Sequence, residues 1–80
     1  MLFITCVRIN PGKLEEARKF GDRLLKTPPK GVKFLNVYLT LGRYDAIWIY
    51  EAADPNVVKE FLRESRDVST TETWVAFERT

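Results

Sequence analysis

Tyr38, Arg43, Tyr44, Asp45, Trp48 and Trp74 are the residues whose types and placing suit the binding of a ligand. Arg43 and Asp45 flank Tyr44, so one short segment offers a guanidinium for a carboxylate and a carboxylate for an amine. The outlying aromatics supply walls for an apolar pocket. Other chemistries are closed by composition. The eighty residues include no histidine, one cysteine (Cys6) and one methionine, whereas zinc sites usually take two or more Cys or His ligands. No metal site, disulfide framework or single-chain Ser–His or Cys–His catalysis is therefore expected. Carboxylate, lysine, tyrosine and lone-thiol chemistry remain, but no catalytic set of residues stands out and no cofactor is implied.

Each candidate also has a structural reading. Gly42 supplies a backbone angle that other residues resist, and Asp45 accepts N–H bonds within its own turn. Tyr38, Trp48 and Trp74 serve first as the core of an assembly and second as pocket walls. Cys6, flanked by Thr5 and Val7, reads as a small buried apolar residue with an unreactive thiol.

The elements that must position these groups are legible as alternations and stripes. Leu2 to Ile9 is rich in β-branched residues and apolar on both faces, as in a strand covered on both sides. Asn10-Pro11 is predicted to open a helix whose apolar stripe is Leu14, Ala17, Phe20, Gly21, Leu24 and Leu25. Pro28-Pro29 ends it. Val32 to Leu41 and Asp45 to Ala52 read as the second and third strands. Asp54-Pro55 repeats the capping logic and opens a shorter helix, with Val57, Val58, Phe61, Leu62 and Ser65 on its buried side. Thr70 to Glu78 reads as the fourth strand.

The order β-α-β-β-α-β over residues 1–80 predicts one α+β domain, a ferredoxin-like sandwich with a four-stranded antiparallel sheet and both helices on one face. If aliphatic residues share a face, a three-residue loop, Gly42 to Tyr44, must pair Leu39 with Ile47 and Tyr38 with Trp48. On that register Leu35, Val37, Leu39, Ile47, Ile49, Val75 and Phe77 meet the helices. Phe34, Tyr38, Ala46, Trp48, Tyr50 and Trp74 are then left uncovered.

So many aromatics on an open sheet exceed what a soluble monomer normally shows. A second copy packed sheet to sheet is the first expectation, giving a homodimer, or a multiple of dimers, in the form of a dimeric α+β barrel. Such packing also enlarges the core of a chain that by itself hides only about 60% of its unfolded surface. RNA is the sharper alternative, because the RRM has this strand order and stacks bases on sheet aromatics. Its third-strand motif asks for Gly and a final aromatic where Arg43-Tyr44-Asp45-Ala46-Ile47 has neither, and Asp45, Glu51 and Glu72 repel phosphate.

Thirteen Lys plus Arg against eleven Asp plus Glu give a net charge of +2 with the signs interspersed, a solvated surface and not a nucleic-acid stripe. Absence of glutamine and abundance of Lys, Arg and Glu lean toward a thermophile. The apolar start ends at Arg8 and Asn10-Pro11, too early for a membrane span or a secretory signal, so a cytoplasmic protein with no membrane association is expected.

Tyr38-Leu39-Thr40-Leu41-Gly42-Arg43-Tyr44-Asp45 resembles the GYD-domain proteins, small archaeal and bacterial chains named for a Gly-x-Tyr-Asp hairpin, and Thr71 to Phe77 looks like their last strand. Those domains are similar in turn to the effector-binding (RAM) domain of leucine-responsive Lrp/AsnC regulators. The resemblance implies a dimer or higher oligomer with a small-molecule pocket between subunits near the hairpin. The helix-turn-helix of those regulators would precede Met1, so direct DNA binding is not implied. The functional expectation is a non-enzymatic module that binds an amino-acid-like metabolite. The alternative is a small barrel enzyme, of isomerase or monooxygenase type, acting on an apolar substrate.

Overall fold

Strand β1 (Leu2–Ile9) is central, and its neighbours on both sides are antiparallel to it. The computed structural model describes residues 1–80. After β1 the chain forms α1 (Leu14–Lys26), β2 (Val32–Leu39), β3 (Ala46–Ala52), α2 (Pro55–Glu64) and β4 (Ser69–Ala76), and the sheet order is β2-β3-β1-β4. This is the ferredoxin-like β-α-β-β-α-β sandwich that the sequence predicts.

The second helix begins as its sequence dictates. The Asp54 carboxylate accepts from the Asn56 N–H at 2.8 Å and Pro55 takes the first turn, where its missing N–H costs nothing. The first helix differs from expectation. Asn10-Pro11-Gly12 is a turn, Gly12 has φ +77°, and the helix starts only at Leu14 with Lys13 before it. The side chain of Asn10 is drawn across the sheet end instead, accepting from the Thr70 hydroxyl at 3.2 Å, while its backbone N–H donates to Val68.

The strand faces also differ from expectation. Phe3, Thr5 and Val7 of β1 stand beside Tyr50, Trp48 and Ala46 of β3, and these residues join Phe20, Leu24, Val58 and Phe61 of the helices in one core. Trp48 and Tyr50 therefore face the helices, and Ile47 and Ile49 lie on the other side with Leu2, Ile4 and Cys6. The hairpin pairs Leu39 with Ala46 and Tyr38 with Ile47, and Val37 with Trp48, so the predicted three-residue register is not formed.

A bulge explains how both strands satisfy the core. Between Phe34 and Asn36 the register slips by one residue, which places Phe34 and Val37 on the same side despite their odd spacing. Strict alternation sends those two to opposite faces. Aromatic rings form the centre of the layer between sheet and helices, with Val7, Leu24, Val32 and Val58 beside them: Phe34 lies 5.4 Å from Tyr50, 6.2 Å from Trp48 and 6.1 Å from Phe61, ring centre to ring centre. Each ring buries more area than an isoleucine. No helix is long and apolar enough to cross a membrane.

Candidate functional site

The turn after β2 is tied by hydrogen bonds to β1 and β4. Gly42 holds φ +145°, a conformation that side-chain-bearing residues resist. The carboxylate of Asp45 accepts from the backbone N–H of Ile9 at 2.7 Å, while the Asp45 N–H donates to Val7 at 2.8 Å. Asp45 thus closes the end of the β1–β3 ladder, and its acceptor role reaches the adjacent strand, not its own turn. Nε of Arg8 donates to the Arg43 carbonyl at 3.1 Å.

Tyr44 folds back toward the open side of the sheet. Its hydroxyl donates to Glu72 Oε1 at 2.6 Å, and the guanidinium carbons of Arg8 and Arg43 lie 5.7 and 5.9 Å from its ring centre. The hydrogen bond to Glu72 is the main cause that pushes the Tyr44 phenol above its usual range, with desolvation and the Glu72 charge adding and Arg43 opposing. Cys6, 8% exposed, lies beside Glu72 in the pairing of β1 with β4, and burial first, then that carboxylate, raises its thiol. It is held as the neutral thiol.

The six predicted site residues divide into three groups. Arg43, Tyr44 and Asp45 gather at the hairpin. Tyr38 and Trp74 stand on the open sheet face, half exposed at 50% and 49%, among Ile4, Ile47 and Ile49. Trp48 is on the opposite side, so it cannot join Tyr38 and Trp74 in one pocket of a single chain.

Trp48 instead contributes to a cleft of about 480 Å³ beneath α1. Ala17 and Gly21 of α1 and Ala46 of β3 are among the residues that line it, and small residues across from one another leave space. Leu14, Leu25, Val37 and Leu39 form its rim, and Arg18, Asp22 and Ser69 are its polar residues. The exposure of Leu14, Leu25 and Leu39, at 67%, 47% and 88%, follows from this gap. The sequence pattern places Ala17 and Gly21 on the helix stripe. Their facing a third small residue depends on the register of β3 and was not legible.

Beneath the second helix the core contains a short hydroxyl chain. Tyr50 and Thr5, both wholly buried, share a 2.7 Å hydrogen bond, and Thr5 and Thr73 share one of 2.8 Å. Burial raises the Tyr50 phenol, and the threonine hydrogen bonds partly offset that rise.

No protein-family model matches the chain, and no curated protein matches it in sequence. Solved structures do match in shape. Hypothetical protein PHS023 from Pyrococcus horikoshii is 21% identical with a TM-score of 0.66, over 99% of this chain and 93% of that one. FFRP-DM1 is 22% identical with a TM-score of 0.67, over 95% and 97%. SnoaB, a cofactor-independent oxygenase from Streptomyces nogalater, is 16% identical with a TM-score of 0.52, over 99% and 92%. The chain shares their fold.

Proposed function

We propose that this chain is a non-enzymatic, self-associating module that binds a small molecule with an apolar body, in the manner of GYD-type and Lrp/AsnC effector-binding domains. The observation that carries the reading is the cleft beneath α1. Its volume of about 480 Å³ lies in the range of small-molecule sites, and its walls are mostly apolar with a few polar groups. An amino acid with a large apolar side chain, or a metabolite of similar shape, suits such walls. The Gly42-Arg43-Tyr44-Asp45 hairpin supports the GYD kinship, and the fold shared with FFRP-DM1 and the P. horikoshii protein is compatible with it.

Assembly rests on the open sheet face. Leu2, Ile4, Ile47, Ile49, Tyr38 and Trp74 present a contiguous apolar surface that a second copy covers sheet to sheet. The enzymatic alternative draws support from the likeness to an oxygenase, but a shared fold at 16% identity transfers no catalytic residue.

Thermal shift against apolar amino acids and their 2-oxo-acid counterparts tests the ligand reading, since a ligand that binds only the folded state raises Tm by mass action. At least one compound is expected to raise Tm by several degrees. Gly21→Leu, which adds a side chain at the cleft wall where a Cβ meets no atom within 4 Å, is expected to abolish that shift while remaining folded. A flat panel, or a shift unchanged in Gly21→Leu, sinks the cleft as the binding site.

A further inference from the structure

The α2–β4 side of the sandwich is built differently from the rest of the interlayer. The β4 positions that turn toward the helices are Ser69, Thr71, Thr73 and Val75, opposite Ile9, Val7, Thr5 and Phe3 of β1, and the first three carry hydroxyls. Hydroxyl residues thus stand in the rows where β3 presents Trp48 and Ala46. Above them Lys59, Arg63 and Arg66 follow one another at spacings of four and three, the repeat that aligns side chains along one side of a helix. Arg66 lies just past the helix end, where its N–H still donates to the Arg63 carbonyl at 3.3 Å.

Two periodicities therefore converge, a step of two along β4 and a step of three to four along α2. Between them lies a cleft of about 530 Å³ whose only apolar wall residue is Leu62. No carboxylate lines it. Glu60 approaches Arg63 at 3.7 Å, and no carboxylate lies within 4.0 Å of Lys59 or Arg66. In a chain of net charge +2, three cations gathered on one hydroxyl-lined cleft form a local excess that attracts anions.

We infer that the α2–β4 cleft binds the phosphoryl group of a small organic phosphate. Two arginine forks match the oxygen geometry of a phosphate, a lysine adds charge, and Thr71, whose hydroxyl is not bonded within the chain as those of Ser69, Thr70 and Thr73 are, donates to a remaining oxygen. The cleft volume exceeds that of a bare phosphate ion, so the attached organic group also has room. This site shares only Ser69 with the apolar cleft beneath α1.

The test is an amide and arginine-Nε NMR titration of the full chain with pyrophosphate and with AMP, at constant ionic strength, because surface charge effects are screened by salt. Saturable shifts confined to residues 59–73 are expected, with AMP adding shifts of its own beyond those of pyrophosphate. Arg63→Gln with Arg66→Gln is expected to weaken binding at least about tenfold. If that pair fails to fold, Arg63→Lys, which keeps the charge and loses the fork, is expected to weaken it by a smaller factor. Shifts spread over all surface lysines and arginines, absence of saturation at millimolar probe, or unchanged affinity in the variants overturns the proposal. So does oligo-uridine binding to the same residues more tightly than AMP, which makes the surface a nucleic-acid contact instead.

Discussion

Asp45 joins segments far apart in sequence, since its carboxylate accepts from Ile9 at 2.7 Å while its own N–H donates to Val7. A charged acceptor on a backbone N–H is stronger than a neutral one. Asp45→Ala is expected to lower stability by about 1–2 kcal/mol, read as a lower urea midpoint with an unchanged slope. Asp45→Asn, which keeps an acceptor in place, is expected to lose less. Titration adds a second expectation. Tyr44, Tyr50 and Cys6 all have their pKa raised in the fold, from ordinary values of 10.0 for the phenols and 9.0 for the thiol. A raised acid pKa means that the unfolded chain releases its proton first, so the associated stability is complete below the unfolded value and is lost as pH rises through the folded one. The Tm is therefore expected to hold at neutral pH and to fall above about pH 9, and Tyr50→Phe is expected to shallow that alkaline fall. A Tm independent of pH between neutrality and pH 11 contradicts the assignment. The candidate roles at this scale were partly legible. A Gly-x-Tyr-Asp turn announces a special backbone angle and a local acceptor, but which N–H the acceptor reaches depends on the strand that lies beside it.

At the scale of elements, local signals sufficed wherever the cause is local. Asp54-Pro55 starts α2 because a carboxylate and a missing N–H answer needs within one helical turn. Asn10-Pro11 carries the same signal and starts no helix, since Gly12 at φ +77° turns the chain and Thr70, sixty residues away, takes the Asn10 side chain. Gly21 is the element-scale case that connects to function. It sits inside α1 with open space around the position of a Cβ, so the residue is not required by a close approach. Glycine in a helix interior costs roughly 0.5–1 kcal/mol relative to alanine. Gly21→Ala is expected to raise stability by that amount in thermal or urea unfolding. The larger Gly21→Leu tests occupancy of the cleft that the glycine helps to keep open. A destabilised Gly21→Ala protein would mean that α1 packs more tightly on the sheet than the cleft allows.

For the whole molecule, the order and pairing of elements followed from the pattern of stripes and turns, whereas the choice of sheet face did not. With β1 apolar on both sides and β3 carrying aromatics on one side and isoleucines on the other, either face is able to meet the helices. Packing the aromatic face buries Phe34, Trp48, Tyr50 and Phe61 against one another, and the one-residue slip at the β2 bulge reconciles that choice with the hairpin register. No count of alternating residues along β2 reveals such a slip. The two tryptophans turn this into an experiment on assembly. Trp48 is 8% exposed and packed under the helices, whereas Trp74 is 49% exposed on the open face. Trp48→Glu places a charge in the core, where burying it without a partner is prohibitive, and is expected to unfold the chain. Trp74→Glu leaves the core intact, and in a sheet-to-sheet pair it sets a carboxylate against apolar residues of the second copy. Sedimentation is expected to report a dimer or a multiple of dimers for the parent chain and a folded monomer for Trp74→Glu. A parent that sediments as a monomer, or a Trp74→Glu protein that keeps its mass, removes the open face as the surface of assembly.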